Sequence, residues 1–371
     1  MRISLNGQRI FPLGAYEHPW TEDEWRQWTA AGVNIVCCHN REELDAAHAH
    51  GVLGWVPVPV ILADGDAGST LAAKVDTLKD HPALAVWEAQ DEAIWNASRK
   101  DDNNVRMSFW KHPPEKLVEI QERFSAVVRG LERGARIVRE RDPHRPIWLN
   151  EAVNSDQETL ARCVPYLDIV GFDWYPVRRN ATVPMGLLGK QIQRFVRTAP
   201  LCGQWFVQQA FCWSQLKLAE GPPLLPTEEQ TRFMAWDAIL HGTTGIMWWG
   251  SAYADRPHPF FDGWMTVLRE FEGLHPFLFA GQMPHVWAET YYRQHDPILG
   301  VGVLARRAGN RTLVVLINQD QYAHETVLKG LDEAVVMRLR RVGGGGEGLV
   351  KTREGFITAL EGYDVRIYIT D

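Results

Sequence analysis

The chain has 371 residues, which suits a barrel-sized domain of roughly 250–300 residues with a small appendage. Hydrophobic content of 45% and charged content of 23% are those of an ordinary globular protein with ample material for a core, which speaks against disorder. A net charge of −7 speaks against nucleic acid as the main partner, because phosphate binding needs a cationic surface, and no uninterrupted apolar run reaches membrane-spanning length.

In chain order, eight apolar, β-rich runs stand out: Arg9–Tyr16, Val33–His39, Val52–Val60, Ala83–Gln90, Pro146–Val153, Asp168–Tyr175, Trp205–Phe211 and Gly245–Gly250. Buried parallel strands are continuously apolar rather than alternating, as these are. Helical patterns separate them. Thr21–Ala31 opens on a Thr followed by acidic residues, as a capped first turn does; Arg41–His50, Thr70–Lys79 and Pro114–Arg141 follow. Asp156–Val164, Gly189–Thr198, Thr227–His241 with the capping box Thr-Glu-Glu-Gln, and Gly263–Leu274 complete the set. Eight strands alternating with eight helical segments predict a (β/α)8 barrel over residues 1–282. A doubly wound sheet would want a glycine-rich phosphate loop after the first strand, and LGAYEHPW is not one.

Beyond about Ala280 the pattern changes to strand-like runs at Ile298–Leu304, Thr312–Asn318, Ala334–Leu339 and Asp364–Ile369, with a tract Gly343–Gly346 that reads as a hairpin loop. Residues 283–371 are therefore expected to form a small antiparallel β domain of sandwich type.

In a barrel the active site is built from the C-terminal ends of the strands. Here those ends carry Tyr16-Glu17-His18, His39-Asn40, Gln90-Asp91-Glu92, Asn150-Glu151, Asp173-Trp174-Tyr175, Gln208-Gln209 and Trp248-Trp249. Carboxylates, carboxamides and aromatics in these positions are the parts for gripping a polyhydroxylated ligand and moving protons. Sixteen Trp residues strengthen that expectation, since indole faces serve as platforms for pyranose rings.

HPALAVWEAQDEA (residues 81–93) resembles the strand-four motif of the large clan of retaining barrel glycosidases, which ends in Asn-Glu-Pro. The resemblance places the acid/base Glu on Glu92 and replaces the preceding Asn with Asp91. YLDIVGFDWYPV resembles the strand-six segment of the clan. TTGIMWWGS resembles its strand-eight segment, whose sugar-stacking Trp falls on Trp249. The likeness covers roughly residues 8–280. One departure matters more than the matches. Strand seven, PLCGQWFVQQAFCW, carries Gln209 (or Gln208) where the clan has its nucleophilic Glu, and a carboxamide cannot form the usual glycosyl ester.

The resemblance thus implies a glycoside hydrolase acting on a carbohydrate substrate, by one of three routes. Glu92 acts as general acid with Asp173 as base or displaced nucleophile; or Asp91-Glu92 works as a substrate-assisted hexosaminidase pair steadied by Tyr175; or the barrel binds glycans without cutting them. Glu17, His39, Glu151, Trp174, Tyr175, Gln209 and Trp249 are the candidate substrate-binding residues.

Plainer readings stand beside these. Glu92 and Asp91 could serve the first turn of the next helix, and Asp173 could pair with Arg178 or Arg179. Glu151 could orient a neighbour, and Glu17 with His18 could cap the next segment. Trp248, Trp55 and Trp87 read as packing, and the segment Ile94–Pro113, with Trp95, Phe109 and Trp110, as a cleft wall or a satellite cluster. No cofactor is implied, and His39, His48 and His50 lack the spacing of a metal site. Five Cys without scaffold spacing read as reduced thiols. MRISLNGQRIFPLG does not read as a signal peptide, so a cytoplasmic protein is expected; a secreted one with its leader removed would look the same. Oligomeric state is not legible.

Overall fold

The computed structural model describes residues 3–99, 107–179, 183–218, 221–292, 298–343 and 348–371. Parts of two expected loops, residues 100–106 of Ile94–Pro113 and residues 344–346 of Gly343–Gly346, lie outside them. A hairpin of β1 (Ser4–Leu5) and β2 (Gln8–Arg9) precedes eight parallel strands. These are β3 (Leu13–Ala15), β4 (Ile35–Cys37), β5 (Leu53–Pro57), β6 (Leu84–Glu88), β7 (Ile147–Ala152), β8 (Ile169–Asp173), β9 (Gly203–Gln209) and β10 (Gly245–Trp249). They pair in chain order and close through β10 on β3, giving an eight-stranded parallel barrel. The helices of the alternation are α1 (Glu22–Ala31), α2 (Arg41–Ala49), α3 (Ser69–Leu78), α4 (Ala93–Ala97), α5 (Pro114–Arg141), α6 (Gln157–Cys163), α7 (Leu188–Thr198), α8 (Glu228–Leu240) and α9 (Pro259–Gly273). The fold is a (β/α)8 barrel with antiparallel sheets at the C-terminal end of the chain.

The chain divides into two compact units. The first comprises Met1–Tyr175, Gln191–Ala210 and Thr243–Ala252, and contains all eight barrel strands. Its interior is an aromatic layer in which Trp148 meets Trp55 at 5.5 Å and Trp205 at 4.6 Å between ring centroids, both edge-on. Ile35, Cys37, Val86, Val207 and Met247 fill the space around them. Local chemistry sets the helices around this core. Thr21 and Asn40 cap α1 and α2 by accepting from Glu24 and Glu43 N–H, and Gly32 ends α1 in the left-handed conformation. On the long α5, Gly134 allows backbone contact, because a Cβ there would lie 1.7 Å from the Val60 carbonyl oxygen.

The second unit comprises Pro176–Lys190, Phe211–Gly242 and Tyr253–Asp371. Its α8 opens with the expected capping box between Thr227 and Gln230, and Arg232 on α8 pairs with Glu270 on α9 at 2.9 Å. Two four-stranded antiparallel sheets follow. One has the order β11 (Trp287–Tyr292), β14 (His324–Lys329), β17 (Phe356–Leu360), β16 (Val350–Lys351). The other has the order β12 (Val301–Ala308), β13 (Arg311–Asn318), β18 (Val365–Thr370), β15 (Leu339–Arg341). Leu328, Phe356 and Leu360 from the first sheet and Val303, Val314, Leu316 and Tyr368 from the second share one apolar core.

Among the described residues no helix is long and apolar enough to cross a membrane.

Candidate active site

The strand ends of the barrel bring several of the expected residues together around one buried carboxamide. Asn150, on the fifth barrel strand β7, is 2% exposed. Its Nδ2 donates to Asp91 Oδ1 at 2.9 Å and to Asp173 Oδ1 at 3.3 Å. One side chain thus ties the loop after β6 to the end of β8. Burial pushes the Asp173 carboxyl well above the usual carboxylate range, and the charges of Glu92 and then Asp91 push it further. Asp91, Glu92 and Asp173 therefore occupy one electrostatic neighbourhood.

Glu92 is held by its backbone. Its N–H donates to the Asn150 carbonyl at 2.9 Å, and its own carbonyl accepts from Asn96 N–H at 2.7 Å. It is the N-cap residue of α4, with φ 50° and ψ 37°, and its side chain makes no cap hydrogen bond. A left-handed backbone costs a non-glycine residue roughly 1–2 kcal/mol. Glu151 does the capping instead. Its Oε1 accepts from Ile94 N–H at 2.8 Å, and its Oε2 from Trp95 N–H at 3.2 Å and the Ser155 hydroxyl at 2.6 Å. Completely buried, Glu151 is pushed up to about 8 by desolvation, against the pull of these donors. It is placed to orient α4 and, through it, Glu92.

The aromatic wall is Tyr175 stacked on Trp249, with centroids 5.6 Å apart and planes at 23°. Burial raises the Tyr175 phenol, and the charges of Asp173, Asp91, Glu92 and Glu17 add to that, so the wall adjoins the carboxylates. Glu17 fixes the strand end that carries Trp249. Its Oε1 accepts from Gly250 N–H at 2.7 Å, and its Oε2 from Ser251 N–H at 3.0 Å and the Ser251 hydroxyl at 2.8 Å. Gln208 and Gln209 are fully buried on β9, in register with Trp248 and Trp249. Trp248 is fully buried, while Trp174 and Trp249 are half-buried.

Other expected residues are placed differently. His39 is exposed and bound at 3.0 Å by Glu43 of α2. His18 Nε2 meets the Cys37 carbonyl. The hydrogen bond at Asp173 comes from Asn150, and Arg179 donates to the Pro222 carbonyl at 3.0 Å. Among the described residues no group of three or more His, Cys, Asp or Glu could hold a metal ion.

One feature of the site was missed at the level of sequence. Glu88, near the end of β6, is 2% exposed inside the barrel. Its Oε1 lies 3.0 Å from the Tyr16 hydroxyl and its Oε2 2.9 Å from Trp55 Nε1. Burial, then the charge of Asp91, pushes Glu88 up to about 8. A charged residue in the apolar run LAVWE was the available signal, but its partners come from the end of β3 and from β5 and meet it only when the barrel closes.

No protein-family model matches the sequence, and no curated protein matches it. Solved structures do. The chain is similar to Gan42B, described as a GH42 β-galactosidase from G. stearothermophilus, with a TM-score of 0.60 and 11% identity over 97% of this chain and 98% of that one. It is likewise similar to a β-galactosidase from Bacillus circulans sp. alkalophilus, with a TM-score of 0.60 and 9% identity over 98% and 99% of the two chains. A β-galactosidase from Rahnella sp. R3 aligns at a TM-score of 0.51 and 12% identity over 74% of this chain, which spans 58% of that structure's length. At these identities the likeness is one of fold: this chain has the barrel architecture found in those β-galactosidases.

Proposed function

We propose that the protein hydrolyses a glycosidic bond in an oligosaccharide or glycoside, with Glu92 and Asp173 as its working carboxylates. The observation that carries this reading is the mutual placement of the two groups at the barrel strand ends. Asp173 is buried, held by Asn150, and raised more by Glu92 than by any other charge. The charge of Glu92 favours the neutral form of Asp173, so the two carboxyls lie within electrostatic reach of each other, as a pair that divides acid and base roles must. Glu92 stands where the clan resemblance puts the proton donor. Asp173 is the base for an inverting water or the nucleophile that Gln209 cannot be. Tyr175 and Trp249 offer the faces against which a pyranose ring would lie.

A second reading, substrate-assisted cleavage of a 2-acetamido sugar by Asp91 and Glu92, is favoured by one observation. Asn150 fixes an Asp91 oxygen, and the Asp91 charge is among those that, after burial and Asp173, raise Tyr175; such a pair needs an oriented Asp.

The test is wild type beside Glu92→Gln on a panel of aryl glycosides and oligosaccharides. The panel includes β-galactosides, because the structural neighbours carry that activity in their names, and 2-acetamido sugars. Product anomers are followed by NMR. We expect turnover to fall by about 10²–10⁴-fold in the variant while ligand affinity is largely spared. Full retained activity would remove Glu92 from the mechanism. Retention confined to acetamido sugars would select the second reading, and binding without turnover would make the barrel a glycan-recognition protein.

A further inference from the structure

We propose that Glu88 and Tyr16 form a hydrogen-bonded relay at the C-terminal strand ends, in which the neutral Glu88 carboxyl keeps its proton and donates a hydrogen bond to the Tyr16 oxygen, so that the Tyr16 hydroxyl points into the mouth and donates to a hydroxyl of the bound sugar. The second half of this statement rests on the sugar-binding reading above; the first does not.

Glu88 has two side-chain partners, Tyr16 and Trp55, and neither is a cation. A lone carboxylate walled in by Trp55 and its neighbour Trp148 costs several kcal/mol, so the neutral acid is the form this pocket favours. An indole N–H can only donate, which makes Oε2, facing Trp55 Nε1 at 2.9 Å, an acceptor. The carboxyl proton must then sit on Oε1, whose partner among the described residues is the Tyr16 oxygen at 3.0 Å. Tyr16 accepts it, and its own hydroxyl hydrogen has to point elsewhere. Among the described residues the Tyr16 oxygen has no second partner.

What lies on its other side follows from position. Tyr16 follows the end of β3, half-buried, with its ring against Trp55 at 5.2 Å and Trp148 at 5.9 Å. The titratable groups that act on it are Glu88 at the end of β6, Asp91 after β6, Tyr175 after β8 and Cys37 on β4. Asp91 and Tyr175 belong to the candidate site, so the accessible edge of Tyr16 borders the place a ligand would occupy. Glu88, which Asp91 also influences, is held up to about 8, so the relay spans the neutral range and reverses above it. Once Glu88 is ionised, the Tyr16 hydroxyl swings back to donate to the carboxylate and is lost to the mouth. Glu88 is thus a positioning residue, and Tyr16 the one that touches the ligand.

Two measurements test this. Infrared difference spectra of wild type against Glu88→Gln should show a neutral carboxyl C=O band at pH 6 that fades with a midpoint near pH 8. Tyr16→Phe should move that midpoint upward, because the ionised form loses a donor. Absence of the band at pH 6 would mean that Glu88 is ionised and holds the Tyr16 proton, which overturns the relay. This arm needs neither ligand nor turnover, so it stands or falls apart from the hydrolase reading.

The second measurement uses the panel sugar that is cut best, or that calorimetry shows to bind most tightly if none is cut. Tyr16→Phe should raise KM (or Kd) by about fivefold to tenfold with a smaller change in kcat. Wild-type KM should climb above pH 8. Glu88→Gln, whose amide N–H donates permanently to the Tyr16 oxygen, should stay flat. An unchanged KM in Tyr16→Phe, or the same alkaline climb in Glu88→Gln, would refute the ligand-facing role. Should Glu88→Gln fail to fold, the Tyr16→Phe shift of the wild-type band decides.

Discussion

Replacing Glu151 tests how the candidate proton donor is held. The five-residue helix α4 has no cap of its own, and two of its N–H groups, the buried one of Ile94 and the partly buried one of Trp95, rest on this one carboxyl. Glu151→Ala strands both. At about 1–3 kcal/mol for the buried Ile94 donor and about 1 kcal/mol for the partly buried Trp95 one, the variant should lose about 2–4 kcal/mol. Glu151→Gln keeps an oxygen for Ile94 and gives up the weaker contact at 3.2 Å, a cost of about 1 kcal/mol. The two variants also separate by pH. Glu151 has a folded-state pKa of about 8 against 4.5 in its ordinary state, so between those values the native protein holds a proton that the unfolded chain releases. Its contribution to stability is therefore greatest below about pH 4.5, declines as pH rises, and levels off above about pH 8. The slope is at most about 1.4 kcal/mol per pH unit, or roughly 3 kcal/mol between pH 5.5 and 7.5. Urea melts of wild type and both variants at those two pH values give the measurement. The deficit of Glu151→Gln at pH 5.5 should shrink or reverse by pH 7.5, while Glu88 and Asp173, unchanged in both proteins, cancel in the difference. An alanine variant within about 1 kcal/mol of wild type, or a glutamine deficit that ignores pH, would refute the reasoning. Glu92-dependent turnover should fall in the alanine variant as well, because Glu92 begins the helix that Glu151 holds.

Glu17→Gln should release the backbone of Gly250 and Ser251 by setting an amide N–H against their N–H groups. The expected result is a roughly tenfold loss in kcat/KM on the panel's best substrate, equivalent to about 1.4 kcal/mol, with a changed near-UV circular dichroism from the displaced Trp249. An unaltered spectrum with wild-type kinetics would contradict the clamp. Gly134→Ala should destabilise the fold by about 2–3 kcal/mol or more, since its Cβ meets the Val60 carbonyl at 1.7 Å, and should leave KM unchanged. A melt unaltered by that substitution would show that α5 can move off the β5–α3 segment without cost.

The barrel was legible because parallel strands, covered on both faces, read as continuous apolar runs. Their ends were less so. The run Arg9–Tyr16 joins the last residue of a hairpin to a barrel strand that begins only at Leu13, since both are extended and apolar in part. In the C-terminal sheets β12, β13 and β18 were anticipated, while β11, β14 and β17 were not. FITAL alternates between buried and half-buried residues, while WAETYY and HETVLK are interrupted by polar residues, so none presents an unbroken apolar stretch. The expected strand Ala334–Leu339 is instead the short helix Glu333–Val336 running into β15.

At the site, Glu92, Asp173, Tyr175 and Trp249 could be named because each ends or follows a strand inside a recognisable segment. The jobs of Glu151 and Glu17 could only be narrowed, because a cap or clamp depends on which N–H groups come within reach across separate strands. Glu88 and Asn150 belong to the same class. Their partners lie 72 and 59 residues away, and only ring closure makes them neighbours.

The aromatic layer inside the barrel has a practical consequence. Three indoles, Trp55, Trp148 and Trp205, stand edge-on with centroids 5.5 and 4.6 Å apart, close enough for excitation to pass between them. Trp55, at one end of that chain, hydrogen-bonds through Nε1 to Glu88. The gain or loss of a single proton on that carboxyl therefore acts on the whole assembly. The barrel carries its own unlabelled reporter of what happens beneath the candidate site, one that needs neither a substrate nor an attached dye.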